Sequence, residues 1–427
     1  MEALLIVVVM LLLLLLGYPM KVPLISAALA ALIVFHRDVP PAVIIQQMIG
    51  GVKPAALLAV PMFIFAADIM TRGQSANRLI DLVMAFVGHL KGGLAVSTAT
   101  ACTLFGAVSG STQATVVAVG GPLRPRMLKA GYNDNFVLAL IVNASDIAFL
   151  IPPSIGMIIY GVISGTSIAE LFIAGIGPGI LILLMFSAYS VVYATRNNIP
   201  TQPKSSWRER FTAMQRAVWP LGFPVIIIGG IYGGIFSPTE AASVSVAYAI
   251  ILEVIVFRSI SITEIPRIAL STGLITAVVF VLVGAGAAFS WTISFAQIPQ
   301  AILGALGLEE AGPYTVLIAI SIAFFVGCMF VDPIVVILVL VPIFAPIVDH
   351  AGLDPVLVGT IITLQVAIGS ATPPFGCDIF TAIAIFKRPY LDVIRGTPPF
   401  ILMLLLAAVL LILFPQIALF LRDLAFR

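Results

Sequence analysis

Two pairs of adjacent prolines, Pro152-Pro153 and Pro373-Pro374, each interrupt a long apolar stretch. Proline has no N–H, so it leaves the carbonyl four residues earlier without its helical partner. The carbonyls released are those of Ala148 and Phe149 in the first case and of Gly369 and Ser370 in the second. In hydrocarbon a free carbonyl is tolerated only where it lines a cavity or meets a partner. A dehydrated alkali cation is a suitable partner. Two short polar interruptions, Gly106–Thr112 (GAVSGST) and Gly327–Pro333 (GCMFVDP), offer further carbonyls and hydroxyls, and Thr372 adds a hydroxyl at the second break. Two related cation sites are expected.

Three acids lie in the same regions. Asp146 and Asp332 fall within the interruptions and Asp378 follows the second break. Charges inside apolar spans are costly and point to function by default. Asp332 is read as functional in preference to a helix cap. Asp146 is read either as functional or as locally paired, and Asp378 as a structural cap. Asn143 offers a polar contact or a packing hydrogen bond. His36, His89 and His350 sit at span ends as solvated residues, and Glu240 in SPTEAAS caps the helix that follows.

The elements that position these residues are membrane helices. Of 427 residues, 61% are hydrophobic and 9% charged, against roughly 25% charge in a soluble domain. The apolar runs do not alternate as barrel strands would. Crossings are expected near 3–17, 22–36, 52–71, 135–165, 168–195, 218–236, 240–257, 268–291, 355–385 and 397–421. The first is read as a span and not as a cleaved signal. Two further runs, 92–129 and 313–350, are broken in the middle, by Gly110-Ser111 and by Asp332-Pro333. Each half is roughly 25 Å long at 1.5 Å per residue, which suits a re-entrant helical hairpin. Segment 77–90 carries Leu79, Leu82, Val83, Phe86 and Leu90 on one face, the pattern of a helix lying in the interface. Residues 296–308 take the corresponding place before the second hairpin.

This threading puts 17 of the 21 basic residues on one side, leaving Arg37, Lys53, Arg422 and Arg427 on the other. The basic side is cytoplasmic by the positive-inside rule, so both termini face out. A shift of 221 residues superposes Gly106 on Gly327, Pro125 on Pro346, Gly131 on Gly352 and the two proline pairs on each other. Each half has five crossings, an odd number, so the halves point oppositely. The expected fold is an all-α polytopic membrane protein of two inverted repeats, with re-entrant hairpins, broken helices and binding near the midplane. Net charge is +2, too balanced to suggest nucleic acid. Cys102, Cys328 and Cys377 form no CxxC pair, so no zinc or disulfide framework is expected. Neither HExxH nor GxxxxGK[ST] occurs. A transporter is favoured over an intramembrane enzyme or a scaffold without transport.

At these residues the sequence resembles a known family. GAVSGSTQATVVAVG, LIPPSIGMIIYGV, SPTEAAS, VDPIVVILVLVPIFAPI and ATPPFGCDIF occur in this order. They resemble the large membrane subunit of tripartite ATP-independent periplasmic (TRAP) transporters over nearly the whole chain. The resemblance implies sodium-driven uptake by an elevator mechanism in a bacterial inner membrane. It also implies a separate small four-helix membrane subunit and a periplasmic substrate-binding protein as partners. The family's sodium positions would fall on Gly106, Ser109, Ala148, Ile151 and Pro153, and on Gly327, Gly369, Thr372 and Phe375, so two or more Na+ would be co-transported. Ser370-Ala371 departs from the bulkier apolar residues of many members. The substrate would be an organic acid, with the overall sequence resembling the sialic-acid branch. The alternatives are a C4-dicarboxylate or other carboxylate permease and a stand-alone sodium/carboxylate symporter. An acidic substrate would meet helix N-termini in a cleft expected to include Ser111, Thr112, Asn143, Ser154 and Asp332. The chain is expected to divide into a first scaffold part and arm (1–90), a first transport part (91–195), a cytoplasmic loop (196–217), a second scaffold part and arm (218–308) and a second transport part (309–427).

Overall fold

The computed structural model describes residues 1–305, 307 and 311–426. The boundary expected at 308/309 and Arg427 of the charge split lie outside the described residues. Helices α1 (Glu2–Leu15) and α2 (Lys21–Phe35) pair with each other. At 14 and 15 residues they rise only about 21–23 Å, less than a hydrocarbon core of about 30 Å. Helix α3 (Ala42–Val52) was not anticipated from the apolar runs. A short 3₁₀ turn (Ala55–Leu58) leads into α4 (Ala59–Arg72), followed by α5 (Ser75–Val87). The arm expected at 77–90 corresponds to α5. Its Leu79, Leu82 and Val83 are buried, while Phe86 and Leu90 of the expected face are exposed.

The first interrupted run folds as α6 (Gly93–Ser109) and α7 (Thr112–Lys129), packed together and joined by Gly110-Ser111. The first broken helix is α8 (Asp134–Ser145), a 3₁₀ turn (Asp146–Phe149) and α9 (Ile155–Ser164). Then come α10 (Ile168–Arg196), α11 (Trp207–Tyr232), α12 (Pro238–Ile250) with a π-helical continuation (Ile251–Val256), α13 (Ile265–Phe295) and α14 (Ile298–Ala305). The second hairpin is α15 (Pro313–Phe330) and α16 (Pro333–His350). The second broken helix is α17 (Pro355–Ser370) and α18 (Cys377–Phe386). The chain ends with α19 (Tyr390–Ile394), α20 (Pro398–Leu413) and α21 (Gln416–Ala425), the last two bent by 58°. Seven helices among the described residues are long and apolar enough to cross a bilayer, or eight with the bent pair taken as one. Two of the seven are α15 and α16, the limbs of the second hairpin; of the ten expected crossings, those at α1, α2 and the two broken helices fall outside the count because their helices are short.

Element ends recur at the 221-residue spacing. Helices α6 and α15 end at Ser109 and Phe330, α7 and α16 run from Thr112 to Lys129 and from Pro333 to His350, and α8 and α17 begin at Asp134 and Pro355. The hairpins are exchanged between the halves: α7 packs on α18, and α16 packs on α9. At the centre, every residue of α17 from Val356 to Ser370 is buried, and so is every residue of α8 from Phe136 to Ser145. A helix buried all round needs no polar face, which is why these stretches read as unbroken apolar runs. Helix α13 packs against α2, α3, α4 and α16.

Candidate functional site

Each hairpin tip is seated on the break of its own half. Gly110, in the left-handed region at φ +59°, ends α6, and its carbonyl accepts from Ile155 N at 3.4 Å. Glycine alone adopts this conformation without cost. A Cβ on Gly106 would stand 2.7 Å from Ala148 Cα, so tip and break are in backbone contact there. At the second tip, Met329 O accepts from Phe375 N at 3.1 Å. A Cβ on Gly369 would stand 2.5 Å from Cys328 Cβ.

At the first break Leu150 N and Ile151 N both donate to Ile147 O, at 2.9 and 3.0 Å. Among the described residues no side chain or loop N–H donates to the carbonyls of Ala148 or Phe149, as the proline spacing requires. The second break differs. One more tight turn forms, so Gly369 O accepts from Thr372 N at 3.1 Å and is not free as expected; the Ser370 carbonyl is. A carbonyl has two lone pairs, and Gly369 O keeps one. The same holds for Gly106 O and Gly327 O, which accept from Gly110 N at 2.9 Å and Val331 N at 3.0 Å. Thr372 Oγ1 donates to Ile368 O at 2.6 Å, which leaves its lone pairs for another ligand. Ser109 Oγ bonds Thr115 Oγ1 at 3.1 Å. The Ile151 side chain is buried, and that of Phe375 is exposed and tilted against Phe330.

Between the two tips and the helices α2, α4 and α13 lies a cleft of about 820 Å³. Its polar lining includes Lys21, Asp68, Ser109, Ser111, Gln113 and Asp332. Asp332 is also the N-cap of α16, accepting from Ile334 N at 2.9 Å, so the cap and the cleft share one side chain. Asp68 accepts from Thr272 Oγ1 at 2.6 Å. Of the expected substrate residues, Ser111 and Asp332 face this cleft, whereas Thr112, Asn143 and Ser154 do not line it. Ser154 caps α9 through Met157 N at 3.2 Å. Asn143 Nδ2 bonds Ala139 O at 2.8 Å. Thr112 Oγ1 donates to Asp378 Oδ1 at 2.8 Å. Asp68 was missed, although a charge inside the apolar run 52–71 was a usable signal. A cleft of similar size, about 810 Å³, lies between α5 and α11 and includes Arg78, Arg208 and Arg216, away from both breaks.

Asp378 is not the simple cap expected. It is fully buried, and its two oxygens accept from Thr112 and from Ser370 Oγ, each at 2.8 Å. Asp146 faces it from the first break. Elsewhere, Ser237 and Glu240 form the capping box expected at the start of α12.

The family model for the DctM component of tripartite ATP-independent periplasmic transporters matches residues 7–417. The ectoine/5-hydroxyectoine TRAP transporter large permease protein UehC of Ruegeria pomeroyi is 74% identical over 96% of each chain. The ectoine TRAP transporter large permease protein TeaC of Halomonas elongata is 74% identical over 96% of this chain and 97% of its own. The C4-dicarboxylate large permease DctM of Pseudomonas aeruginosa is 36% identical over 86% of each. Among solved structures, the YdaH transporter of Alcanivorax borkumensis shares the fold at TM-score 0.59 and 17% identity, covering 87% of both chains. The relatives at 74% identity overturn the expected likeness to the sialic-acid branch. That expectation rested on the overall sequence and not on any residue that contacts a solute. The fold and the motifs at both breaks are those of a multi-pass transporter subunit, not of an enzyme, and the chain belongs to the DctM-component family of TRAP large permeases.

Proposed function

We propose that this chain is the large membrane subunit of a sodium-driven importer of ectoine-type zwitterions. The observation that carries the reading is 74% identity over nearly the full length to two permeases named for ectoine. The cleft supports it chemically. Ectoine joins a delocalised amidinium cation to a carboxylate on one small ring. The cleft holds two carboxylates, Asp68 and Asp332, and one ammonium, Lys21. Asp332 would take the amidinium through charge-assisted hydrogen bonds. The N-terminus of α7, whose Gln113 and Ala114 also line the cleft, would favour the carboxylate. A dicarboxylate would meet two like charges.

Sodium would bind where each tip meets its break. The first site would use Gly106, Ser109, Ala148, Ile151 and Pro153, and the second Gly327, Gly369, Thr372 and Phe375. The free carbonyl of Ala148, one of these positions, and those of Phe149 and Ser370 beside them support alkali-ion binding there. The exchanged packing of α7 on α18 and α16 on α9 suits one moving body, with α2, α4 and α13 as the frame on the far side of the cleft. With the two halves inverted, that body would slide against the frame as an elevator. A periplasmic binding protein would deliver the solute, and a small membrane subunit would complete the frame. The membrane is the bacterial inner membrane, with both termini outside and the basic segment 196–217 inside; α11 begins at Trp207, so the loop expected over 196–217 is shorter and its second half is helical.

Proteoliposomes holding both membrane subunits, supplied with the binding protein, test this. Ectoine uptake should need an inward sodium gradient, and succinate should not compete. Uptake of succinate in preference to ectoine, or transport on a proton gradient without sodium, would overturn it.

A further inference from the structure

The first break carries a carboxyl group that the fold leaves without a donor. Asp146 is 1% exposed and both of its side-chain oxygens lack a hydrogen-bond partner. The group facing it, Asp378, is itself a carboxyl. Two ionised carboxylates are acceptors only and cannot satisfy each other. Asp378 has its two hydroxyl donors; Asp146 has only the Asp378 carboxyl within hydrogen-bonding reach, a contact that is favourable only with a proton or a cation between the two. Three residues before Asp146, on the same helical face, the Oδ1 of fully buried Asn143 is also unpartnered. Its amide end is committed to Ala139 O, which fixes that oxygen as the free one. An uncompensated buried charge costs several kcal/mol, so this cluster of acceptor oxygens calls for a positive ligand.

We propose that Asp146, Asp378 and Asn143 form a sodium site separate from the two carbonyl-based ones. This rests on the sodium-coupled reading above and deepens it. Carboxylate and amide oxygens are hard ligands suited to a hard cation. No group of three or more His, Cys, Asp or Glu side chains gathers among the described residues. Charge balance gives the site its purpose. A dicarboxylate substrate carries its own countercharge for the sodium that accompanies it, whereas a zwitterion carries none. Buried carboxylates of the protein would supply it. The position couples ion to solute: Thr112 is at the first tip, Ser370 at the second break, and Asp146 two residues before Ala148.

The test uses the complete transporter in proteoliposomes at fixed pH, with sodium titrations of ectoine uptake. Sodium-dependent thermal stabilisation of the purified membrane complex provides a second readout. Asp146→Asn keeps the shape and supplies the N–H that a protonated acid would supply. The sodium midpoint should rise at least about tenfold, and one sodium fewer should move per solute. Asn143→Leu, near in volume and less exposed to folding failure, should raise the midpoint several-fold. An unchanged midpoint and slope in these variants, with wild-type uptake still sodium-dependent, would mean that the pair holds a proton, and would overturn this site alone. Sodium-independent wild-type uptake would overturn the coupled reading and this site with it.

Discussion

The hydroxyl of Thr112 donates to Asp378 Oδ1 at 2.8 Å across 266 positions of sequence. Thr112 opens α7 at the tip of the first hairpin, and Asp378 lies in the first turn of α18 beyond the second break. One oxygen of a buried acid therefore reports the position of a tip in the other half. Its second oxygen is held by Ser370 on the break itself. Because α7 packs on α18, a movement of the first tip is felt at the second break.

Thr112→Val keeps the volume and removes the donor. Hydrogen bonds between membrane helices average about 0.6 kcal/mol and reach about 1.7. A fully buried bond to a carboxylate belongs at the upper end, so about 1–2 kcal/mol of stability should be lost, with a marked fall in uptake. Thr112→Ser restores the hydroxyl and should recover most of both. Thermal unfolding in detergent and initial uptake rates check this. Equal defects in Val and Ser variants would show that the methyl group matters and the bond does not.

A second long-range bond holds the arm. Glu253, fully buried on the π-helical continuation of α12, accepts from Gln74 N and Ser75 N at 3.0 Å each, and from the hydroxyls of Ser75 and Ser259. It satisfies the first N–H groups of α5, which have no helical partner of their own. Glu253→Ala leaves several buried donors without an acceptor, at about 1–3 kcal/mol each. A loss of at least about 3 kcal/mol is expected, with faster proteolytic cleavage between α4 and α5. Ser75→Ala removes one bond of the set and should cost about 1 kcal/mol. Melting temperatures and limited proteolysis of the two variants measure the difference.

Glu253 also marks what a sequence can and cannot disclose. The proline pairs, the polar tips and the recurrence at 221 residues are local signals. Each sits at the end of a helix that packing cannot move, so α6, α7, α15 and α16 fall where the interruptions place them. Glu253 lies inside an apolar run, and its partners in the arm, Gln74 and Ser75, are 179 and 178 residues away. Only the fold brings them together. The same holds for Asp378, whose role depends on Thr112, and for Gly369, whose carbonyl is taken by one extra turn that no pattern announced. Substrate identity was least legible. The tip and break motifs belong to the whole family, while charged residues lining the cleft, such as Asp68, are single residues within spans.

Gly106 tests whether tip and break must touch. A methyl group there would lie 2.7 Å from Ala148 Cα and 2.8 Å from Ala148 Cβ, and backbone at that distance cannot yield as a flexible side chain can. Gly106→Ala should push the first tip off its break. The expected result is a sodium midpoint raised by about tenfold or more, with expression near wild type, because the overlap is confined to one point of contact. Gly121→Ala, whose Cβ would meet nothing within 4 Å, is the control and should titrate as wild type. A Gly106→Ala variant with an unchanged sodium midpoint would place the first ion elsewhere.

Ion and solute contacts separate most cleanly at the second tip. Thr372→Val keeps volume and removes a hydroxyl whose proton is already given to Ile368 O and whose lone pairs are free. Losing one ligand worth roughly 1–1.5 kcal/mol should weaken sodium binding about tenfold. Asp332→Asn keeps the shape and, as asparagine is an equally good N-cap, keeps the start of α16 intact. It removes the charge facing the cleft. Ectoine should then bind at least tenfold more weakly, with a smaller change in the sodium midpoint. The two equilibria are linked, so each ligand raises the other's affinity by the same factor, and neither variant will be pure. The order of effects still decides. Sodium titrations at saturating ectoine, and ectoine titrations at saturating sodium, give both midpoints for each variant. If Asp332→Asn moves the sodium midpoint more than Thr372→Val does, Asp332 is an ion ligand and the cleft must bind the solute through Asp68.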